Sequence, residues 1–560
     1  MARPPFDPPR SQKHCDCHRR FNRYSSPELT EHDKNPLEAA TGRSARPSAG
    51  SVALVGAGPG DPGLITAAGL HALRRADVVV YDALANPRLL DEAAAHAERI
   101  DAGKRARKHR LTQDQTQALM HEHAAAGKRV VRLKGGDPYL FGRGAEEASY
   151  LAARGIAVEV IPGITSGIAA PAAAGIPVTH RDHASSVTFL TGHEDPTKPD
   201  SALDYHALAA LVQRGGTLCI YMGVGRLPRI SQTLIDAGCD RATPAAVVQW
   251  GTLPTQRSVR GTLGDLHPRA EQAGIAAPAI VVIGPVAGIE DPGLDFFTNR
   301  PLFGKRVVVT RSRQQSSDLR RRLEEHGADV LEAPTIEITP PEAWKEIDDA
   351  IHRIRNFDTL VLTSTNGVDA LADRLHALDR DARHLAGLHI GVVGSATRDR
   401  LEQRLAIRAD VVPERQVGAA LADALLQRAA APGEALLLRA DIASSELPDR
   451  LRAAGWGVTE IAAYRTRPAA ELPAAVVEAI RADGVDYVTF SSSSTARNLA
   501  AMLEHSGLKR PAGARCVSIG PVTSRAMREV GFPVDAEAEP SDIASLVEAI
   551  VADAEAMRVR

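Results

Sequence analysis

The chain has 560 residues, and its 67 Lys and Arg residues nearly balance its 69 Asp and Glu residues. This length exceeds one ordinary hydrophobic core, and the near-zero net charge gives no reason to expect nucleic acid or a membrane surface as a partner. The five cysteines are too few for a disulfide scaffold, and no apolar run approaches the roughly 20 residues that span a bilayer. We therefore expect a cytoplasmic enzyme with several compact units.

The N-terminal segment, residues 1–49, differs in composition from the rest of the chain. It is rich in Pro, Arg, Ser and His and has little apolar periodicity, which predicts a disordered tail. It contains the cluster His14-Cys15-Asp16-Cys17-His18. Because these residues lack the spacer and second ligand pair of a closed zinc site, we favour a mobile tail over a metal site and predict no metal.

From Ser51 onward, short β-branched runs alternate with helical stretches rich in Ala, Leu and Arg. The first series begins at Val52 to Val55, and a second series begins at Arg306 to Thr310. Between them, residues 291–301 belong to a stretch rich in Pro and Gly, which predicts a linker between units at 50–290 and 302–560. This alternation is typical of an α/β fold with largely parallel strands.

Glycine-rich or hydroxyl-rich turns follow several predicted strands of the first unit. Such turns allow a ligand to lie against the backbone, so together they predict a cofactor cleft. The first has Asp61 where a dinucleotide fingerprint requires Gly, which disfavours NAD. The turns are Gly56-Ala-Gly58-Pro59-Gly60-Asp61, Gly135-Gly136-Asp137-Pro138, Pro162-Gly163-Ile164-Thr165-Ser166 and Tyr221-Met222-Gly223.

In their order along the chain these motifs resemble the tetrapyrrole (precorrin) methylase family over about residues 51–290. Two further motifs, Gly103-Lys104-Arg105 and Gly175-Ile-Pro-Val-Thr-His180-Arg181-Asp182, resemble its uroporphyrinogen-III C-methyltransferase branch. The resemblance implies a two-lobed methylase fold, a homodimer formed through this half, Asp82 as proton acceptor and Lys104 as proton donor. It also implies contacts with S-adenosylmethionine at Pro59, Gly135, Asp137, Leu140, Thr165, Ser166, Met222 and Gly251.

The chemistry of the first unit can also be argued from the residues. Asp82 directly follows the predicted strand Val78 to Tyr81, at the sheet edge where open α/β folds bind ligands, although a helix-capping role fits the same position. A tetrapyrrole substrate carries many carboxylates, which basic side chains can pair. We therefore predict substrate contacts at Lys104 and Arg105 and further contacts at His180 and Arg181.

Turns that end in Thr, Ser or Asn also follow the predicted strands of the second unit. They contain Thr310, Ser364, Asn366, Ser492 and Thr523, which we predict to bind substrate. Each turn alone is typical of an ordinary helix N-cap. Turns of this kind also expose N–H groups and hydroxyls that can bind carboxylates without a cofactor.

Taken together, the turns of the second unit resemble uroporphyrinogen-III synthase from about residue 302 to the end. The resemblance implies two flavodoxin-like lobes, one at 302–339 plus 464–560 and the other at 340–463. It places Tyr464 at the position of a functionally important tyrosine, which could hydrogen-bond or protonate the leaving hydroxyl of hydroxymethylbilane. A tyrosine that merely packs between lobes is the alternative.

The two resemblances imply one bifunctional enzyme of tetrapyrrole biosynthesis. It would cyclise hydroxymethylbilane to uroporphyrinogen III and methylate that product twice to precorrin-2, on the way to sirohaem or cobalamin. A methyltransferase with an inactive, tetrapyrrole-binding regulatory module is the alternative in another functional class. Methylation of a later precorrin is the alternative within the enzyme class.

Overall fold

The structure is a computed structural model that describes residues 50–94, 96–103, 111–193, 202–311 and 313–559. The predicted tail with its His and Cys cluster, and the predicted site residues Lys104 and Arg105, lie outside these ranges. From Gly50 onward the chain forms one compact unit.

The first sheet of the methylase-like half is entirely parallel, with strand order β3-β2-β4-β1-β5. Its strands are β1 (Ser51–Gly56), β2 (Val78–Tyr81), β3 (Glu98–Asp101), β4 (Arg129–Lys134) and β5 (Ala157–Ile161). The helices that accompany it are α1 (Ala67–Arg74), α2 (Gln113–Ala125) and α3 (Gly144–Ala152), while α4 (Ser166–Ala173) packs on strands of the second sheet. A 3₁₀ helix at Pro87–Glu92 follows β2.

Side chains of β1 alternate between two hydrophobic cores, one on each face of this sheet. Val52 and Leu54 join the core beneath α2 and α3, while Val55 joins the core on the α1 side. In β2, Val78, Val79 and Val80 are all buried. A continuous apolar run of this kind is what a parallel strand covered on both faces requires.

The second sheet is mixed, so the expectation of largely parallel strands does not hold for it. In the order β6-β7-β10-β8-β9, β6 and β7 are parallel, but β10 runs antiparallel to both β7 and β8, and β8 and β9 are antiparallel. An apolar strand beside a helix has the same pattern in either direction, so the sequence does not reveal this. The elements are β6 (Val187–Thr191), β7 (Thr217–Tyr221), β8 (Pro244–Gln249), β9 (Arg257–Thr262), β10 (Ala279–Ile283), α5 (Tyr205–Gln213), α6 (Leu227–Asp236) and α7 (Leu266–Gln272).

The third sheet, in the synthase-like half, is parallel throughout, with strand order β12-β11-β18-β19-β20. Its strands are β11 (Arg306–Val309), β12 (Asp329–Glu332), β18 (Tyr487–Phe490), β19 (Arg515–Ser518) and β20 (Ala536–Glu537). The accompanying helices are α8 (Arg313–Glu325), α14 (Ala474–Arg481), α15 (Ser493–His505), α16 (Pro521–Glu529) and α17 (Ile543–Val559).

The fourth sheet has strand order β13-β17-β16-β14-β15 and is inserted in sequence between β12 and β18. Its strands are β13 (Ile336–Thr339), β14 (Thr359–Leu362), β15 (His389–Val392), β16 (Glu434–Ala440) and β17 (Gly457–Pro468). Its helices are α9 (Lys345–His352), α10 (Thr365–Ala377), α11 (Ser395–Leu405), α12 (Gly418–Arg428) and α13 (Glu446–Ala453).

Two antiparallel strands carry the chain into and out of the fourth sheet. β13 pairs with the last part of β17, from Ile336 opposite Pro468 to Thr339 opposite Arg465. The predicted α/β class, with two successive two-lobed units, is confirmed. Within the described ranges, every helix is too short or too polar to cross a lipid bilayer.

Candidate active sites

A cavity of about 660 Å³ lies where the carboxyl edge of the first sheet meets loops of the second sheet. Its size falls within the range of about 300–1,000 Å³ that is usual for small-molecule sites. The structure brings all of the predicted S-adenosylmethionine contacts together in its wall. These residues are Pro59, Gly135, Asp137, Leu140, Thr165, Ser166, Met222 and Gly251.

The two glycine turns in the wall are joined to each other. The backbone N–H of Gly58 donates to the carbonyl of Gly136 at 3.3 Å, and that of Gly136 donates to the carbonyl of Gly58 at 2.7 Å. Both glycines have positive φ angles, +76° and +69°, which favour residues without a Cβ. Asp137 fixes the adjoining loop, because its carboxylate accepts hydrogen bonds from the backbone of Leu140 and Gly163.

Three non-glycine residues of the wall have left-handed backbone conformations. These are Phe141, Met222 and Trp250, with φ angles of 54°, 55° and 49°. Such conformations cost about 1 kcal/mol or more each and persist where the surrounding fold enforces them, often at ligand sites. The side chain of Met222 is 53% exposed and that of Trp250 is 38% exposed. The cavity wall is therefore partly apolar and held in a fixed backbone conformation, and Trp250 contributes to it although no sequence motif predicted this.

The hydroxyl of Tyr221, which lies in the same wall, joins β7 to the start of α4. It accepts a hydrogen bond from the backbone N–H of Gly167 at 2.7 Å and is hydrogen-bonded to the hydroxyl of Thr165. Burial raises the pKa of Tyr221, so the phenol is neutral and able to donate. The predicted cofactor contact at Thr165 is therefore held in place by a residue from the other sheet.

Asp82 lies at the end of β2, beside the cavity wall. Its Oδ1 atom accepts hydrogen bonds from the backbone N–H groups of Leu84 and Ala85, both at 3.1 Å, and of Gly135 at 3.4 Å. Its Oδ2 atom lies 3.8 Å from the Arg132 guanidinium. The carboxylate thus caps the turn Asp82 to Ala85 and also lies at the carboxyl edge of the sheet, beside the cavity. Its position is compatible with both predicted roles, a capping residue and a proton acceptor.

Behind Asp82, a buried group of charges was not anticipated from the sequence. Oε1 of Glu147, which is fully buried, lies 3.4 Å from Arg132 Nε and 3.1 Å from Lys134 Nζ. Its Oε2 atom has no hydrogen-bond partner among the residues that the structure describes. Burial, and next the charge of Arg132, lower the pKa of Lys134. Two basic side chains therefore lie next to the carboxyl edge of the sheet.

The predicted basic substrate contacts are not gathered at this cavity. His180 and Arg181 are absent from the described residues that line it, and Nδ1 of His180 accepts a hydrogen bond from the backbone of Asp182 at 3.2 Å. Lys104 and Arg105 fall outside the described part of the chain. Substrate binding by these four residues stays a prediction.

In the synthase-like half, Tyr464, Ser364 and Asn366 come together at the carboxyl edge of the fourth sheet. The hydroxyls of Tyr464 and Ser364 are 2.9 Å apart, and the side chain of Asn366 lies beside the phenol. The Ser364 hydroxyl additionally caps α10 by accepting from the backbone N–H of Gly367 at 3.2 Å. Burial raises the pKa of Tyr464, while Ser364 and Asn366 oppose that rise.

The remaining predicted substrate contacts follow strands of the third sheet. The hydroxyl of Thr310 is buried and donates to the carbonyl of Thr489 at 2.7 Å, so it is used within the fold. Ser492 caps α15 by accepting from the backbone of Thr495 at 3.4 Å, and Thr523 is buried in the first turn of α16. Contact of these three residues with substrate stays a prediction.

Comparison with known proteins gives a match for each half. A family model described as tetrapyrrole (corrin/porphyrin) methylases matches residues 51–267, and one described as uroporphyrinogen-III synthase HemD matches residues 317–548. The porphyrin biosynthesis protein HemD of Ruminiclostridium josui is 36% identical over 502 residues, covering 90% of this chain and 98% of the relative. The chain belongs to this family of fused tetrapyrrole methylases and uroporphyrinogen-III synthases.

Other relatives match the methylase half of the fusion family more closely. The S-adenosyl-L-methionine-dependent uroporphyrinogen III methyltransferase of Methanosarcina barkeri is 49% identical, covering 44% of this chain and 98% of the relative. A solved structure of uroporphyrin-III C-methyl transferase from Thermus thermophilus, complexed with S-adenyl homocysteine, is 36% identical, with a TM-score of 0.36 and coverage of 42% of this chain and 98% of that chain. A mutant uroporphyrinogen III synthase from the same organism is 20% identical, with a TM-score of 0.32 and coverage of 45% and 99%.

Proposed function

We propose that the chain cyclises hydroxymethylbilane to uroporphyrinogen III and then methylates that product twice to precorrin-2, with S-adenosylmethionine as the methyl donor. The observation that carries the proposal is the single cavity whose wall contains every predicted cofactor contact, with Asp82 beside it. The family membership of both halves supports the same two reactions.

The cavity suits S-adenosylmethionine in size and in chemistry. Backbone groups of the Gly58 and Gly136 turns, the hydroxyls of Thr165 and Ser166, and the apolar side chains of Met222 and Leu140 would hold it. When bound, it supplies an electrophilic methyl group. The protein's part is to align the substrate carbon and to remove a proton from the alkylated ring system. We assign proton removal to Asp82 and proton donation to Lys104.

Ring closure in the synthase half requires departure of a hydroxyl group from hydroxymethylbilane. Burial raises the pKa of Tyr464 and so keeps the phenol protonated, and it can donate a hydrogen bond or proton to that group. Ser364 and Asn366 fix its orientation and would bind substrate carboxylates beside it. Thr310, Ser492 and Thr523 would bind further carboxylates through the helix N-termini next to them.

The same assignment of the two halves leads us to propose domain boundaries, an oligomeric state and a pathway for the product. We place the methyltransferase at residues 50–290, the linker at 291–301 and the synthase at 302–560, with lobes at 302–339 plus 464–560 and at 340–463. We propose a cytoplasmic homodimer formed through the methyltransferase half. Its product would feed sirohaem synthesis and, where the pathway exists, cobalamin synthesis.

Supplying each substrate separately tests the two activities. With uroporphyrinogen III and labelled S-adenosylmethionine, we expect two labelled methyl groups for each macrocycle. With hydroxymethylbilane alone, we expect isomer III rather than the spontaneously formed isomer I. Formation of isomer I at the uncatalysed rate, with methyl transfer intact, would identify the second half as a binding module. Methylation of a later precorrin but not of uroporphyrinogen III would contradict the substrate assignment.

A further inference from the structure

The loop that follows Asp82 links the cofactor cavity to the synthase half. Residues 83–87 line the cavity, and the next residue, Arg88, begins the contact with the other half. One guanidinium nitrogen of Arg88 contacts the Glu324 carboxylate of α8, and another donates to the carbonyl of Val330 in β12 at 2.8 Å. These side chains of Arg88 and Glu324 are 28% and 26% exposed. Water therefore screens this ion pair less than a fully exposed one.

Hydrogen bonds carry this contact back into the cavity wall. Asn86 accepts from the backbone N–H of Arg88 at 3.0 Å and donates through Nδ2 to the carbonyl of Gly60 at 2.7 Å. Gly60 lies in the first glycine turn and lines the cavity. Displacement of Arg88 would therefore displace two cavity-lining residues that are hydrogen-bonded to each other.

A second cavity loop also runs to the boundary with the synthase half. Trp250, Gly251 and Leu253 line the cavity, and the chain then continues into a separate crevice of about 420 Å³ between the two halves. From the methylase half this crevice is lined by residues 254–257, and from the synthase half by Phe303, Arg306, Asp329 and Asp486 among others. The backbone N–H of Asp61 donates to the Thr252 hydroxyl at 3.1 Å, which ties this loop to the first glycine turn.

We propose that the synthase half positions the two cofactor loops of the methyltransferase half, and that Arg88 is the principal positioning residue. This inference rests on the proposed binding of S-adenosylmethionine in the cavity. The synthase half would thus affect methylation in two ways: it supplies the substrate, and it holds the loops that bind S-adenosylmethionine in position.

The test uses the full chain and compares Arg88→Ala, Glu324→Ala and the double variant with the parent. Affinity for S-adenosylhomocysteine is measured by calorimetry, and KM and kcat are measured with S-adenosylmethionine and supplied uroporphyrinogen III. Each single variant should weaken affinity and raise KM by about fivefold, as is usual for coupling between sites. The double variant should be no weaker than Arg88→Ala, because Arg88→Ala already removes the ion pair with Glu324 together with the bond to the Val330 carbonyl. If a substitution only impaired folding, it would instead lower the apparent kcat, because a smaller fraction of the purified protein would be active, and KM would stay unchanged.

Arg74→Ala is the matched control. Arg74, in α1, pairs at 2.8 Å with Glu92, which lies on the same 3₁₀ helix as Arg88. Unlike the contact of Arg88, this pair lies entirely within the methylase half. Arg74→Ala should leave the KM for S-adenosylmethionine within about twofold of the parent value, because an exposed pair contributes little. The charge-exchanged double variant, Arg88→Glu with Glu324→Arg, should recover affinity for S-adenosylhomocysteine. Such recovery would show that the single variants lose affinity because the contact is lost and not because the chain fails to fold. If Arg88→Ala and Glu324→Ala both behave like Arg74→Ala, the inference is wrong. Failure of the parent chain to bind S-adenosylhomocysteine would instead overturn the proposed function.

Discussion

The hydroxyl of Tyr464 lies 2.9 Å from the hydroxyl of Ser364, although the two residues are 100 positions apart in the chain. Tyr464 belongs to β17, close to the antiparallel pairing that carries the chain out of the fourth sheet, while Ser364 follows β14 and caps α10. The hydrogen bond therefore joins β17, which leads the chain out of the fourth sheet, to the turn between β14 and α10. A buried phenol needs such a partner whether it acts on substrate or packs between lobes, so the two roles must be separated by experiment.

Tyr464→Phe removes the hydroxyl and retains the ring. We expect formation of isomer III to fall by about 10²-fold, since the acid at the leaving hydroxyl is lost. Unreacted bilane would then close spontaneously to isomer I, and methylation of supplied uroporphyrinogen III would continue. Ser364→Ala is a companion variant: it leaves the phenol but removes its hydrogen-bond partner and a helix cap, and loss of the cap costs about 1 kcal/mol of stability. Separation of the isomers by chromatography decides the matter, and normal closure by Tyr464→Phe would make the tyrosine structural.

Asp82→Asn retains an oxygen that can cap the turn to Ala85, so the local fold should survive. Because the amide cannot accept the proton, methyl transfer should fall by about 10²-fold or more. Formation of isomer III should be unchanged, since the other half performs it. Transfer of labelled methyl groups, run beside the isomer assay, checks both expectations. Methylation at the parental rate would exclude Asp82 as the base.

Gly135→Ala tests why this position in the cavity wall is glycine. A Cβ atom there would lie 2.7 Å from Cβ of Leu84, closer than real Cβ contacts allow. The added atom therefore meets the loop after Asp82 before it meets any ligand. We expect lost affinity for S-adenosylhomocysteine in calorimetry, with isomer III still formed. Gly225→Ala, whose Cβ would have no neighbour within 4 Å, should leave the melting temperature unchanged. Parental affinity in Gly135→Ala would show that the loop can move aside.

The Asp77 carboxylate should make the methylase half sensitive to acid. Hydrogen bonds from the side chain and backbone of Arg129 hold the pKa of Asp77 well below its ordinary value of 3.8. A carboxylate with a lowered folded-state pKa stabilises the fold above its unfolded-state pKa, and this stability is lost as the pH falls below that value. Asp77→Asn should therefore unfold at lower temperature than the parent at pH 7, and the difference should shrink below pH 3.8. An equal difference at every pH would exclude this origin.

Short motifs predicted the cleft at the edge of the first sheet because each motif is local. A glycine turn after a buried strand is expected at the carboxyl edge of a parallel sheet, and the turns that contain Pro59, Gly135 and Thr165 do meet in one cavity. The individual cofactor contacts and the role of Tyr464 came from the family resemblances, and they stay predictions.

Other features depend on contacts between distant parts of the chain, which no local pattern contains. The contact of Arg88 with Glu324 joins residues 236 positions apart, and a surface arginine in sequence looks the same with or without it. The antiparallel course of β10 and the left-handed backbone of Trp250 arise from packing in the second sheet. The hydrogen bond from the Thr310 hydroxyl to the carbonyl of Thr489 likewise joins residues 179 positions apart, while substrate binding by Thr310 stays a prediction.

The most direct test of the account supplies the chain with hydroxymethylbilane and labelled S-adenosylmethionine together. We predict that one purified protein yields precorrin-2, with the isomer III arrangement of substituents and two labelled methyl groups for each macrocycle. The spectrum of the product and its mass after oxidation measure both features in one reaction. Accumulation of unlabelled isomer III, or of isomer I with or without label, would contradict the central claim that the two halves catalyse consecutive steps.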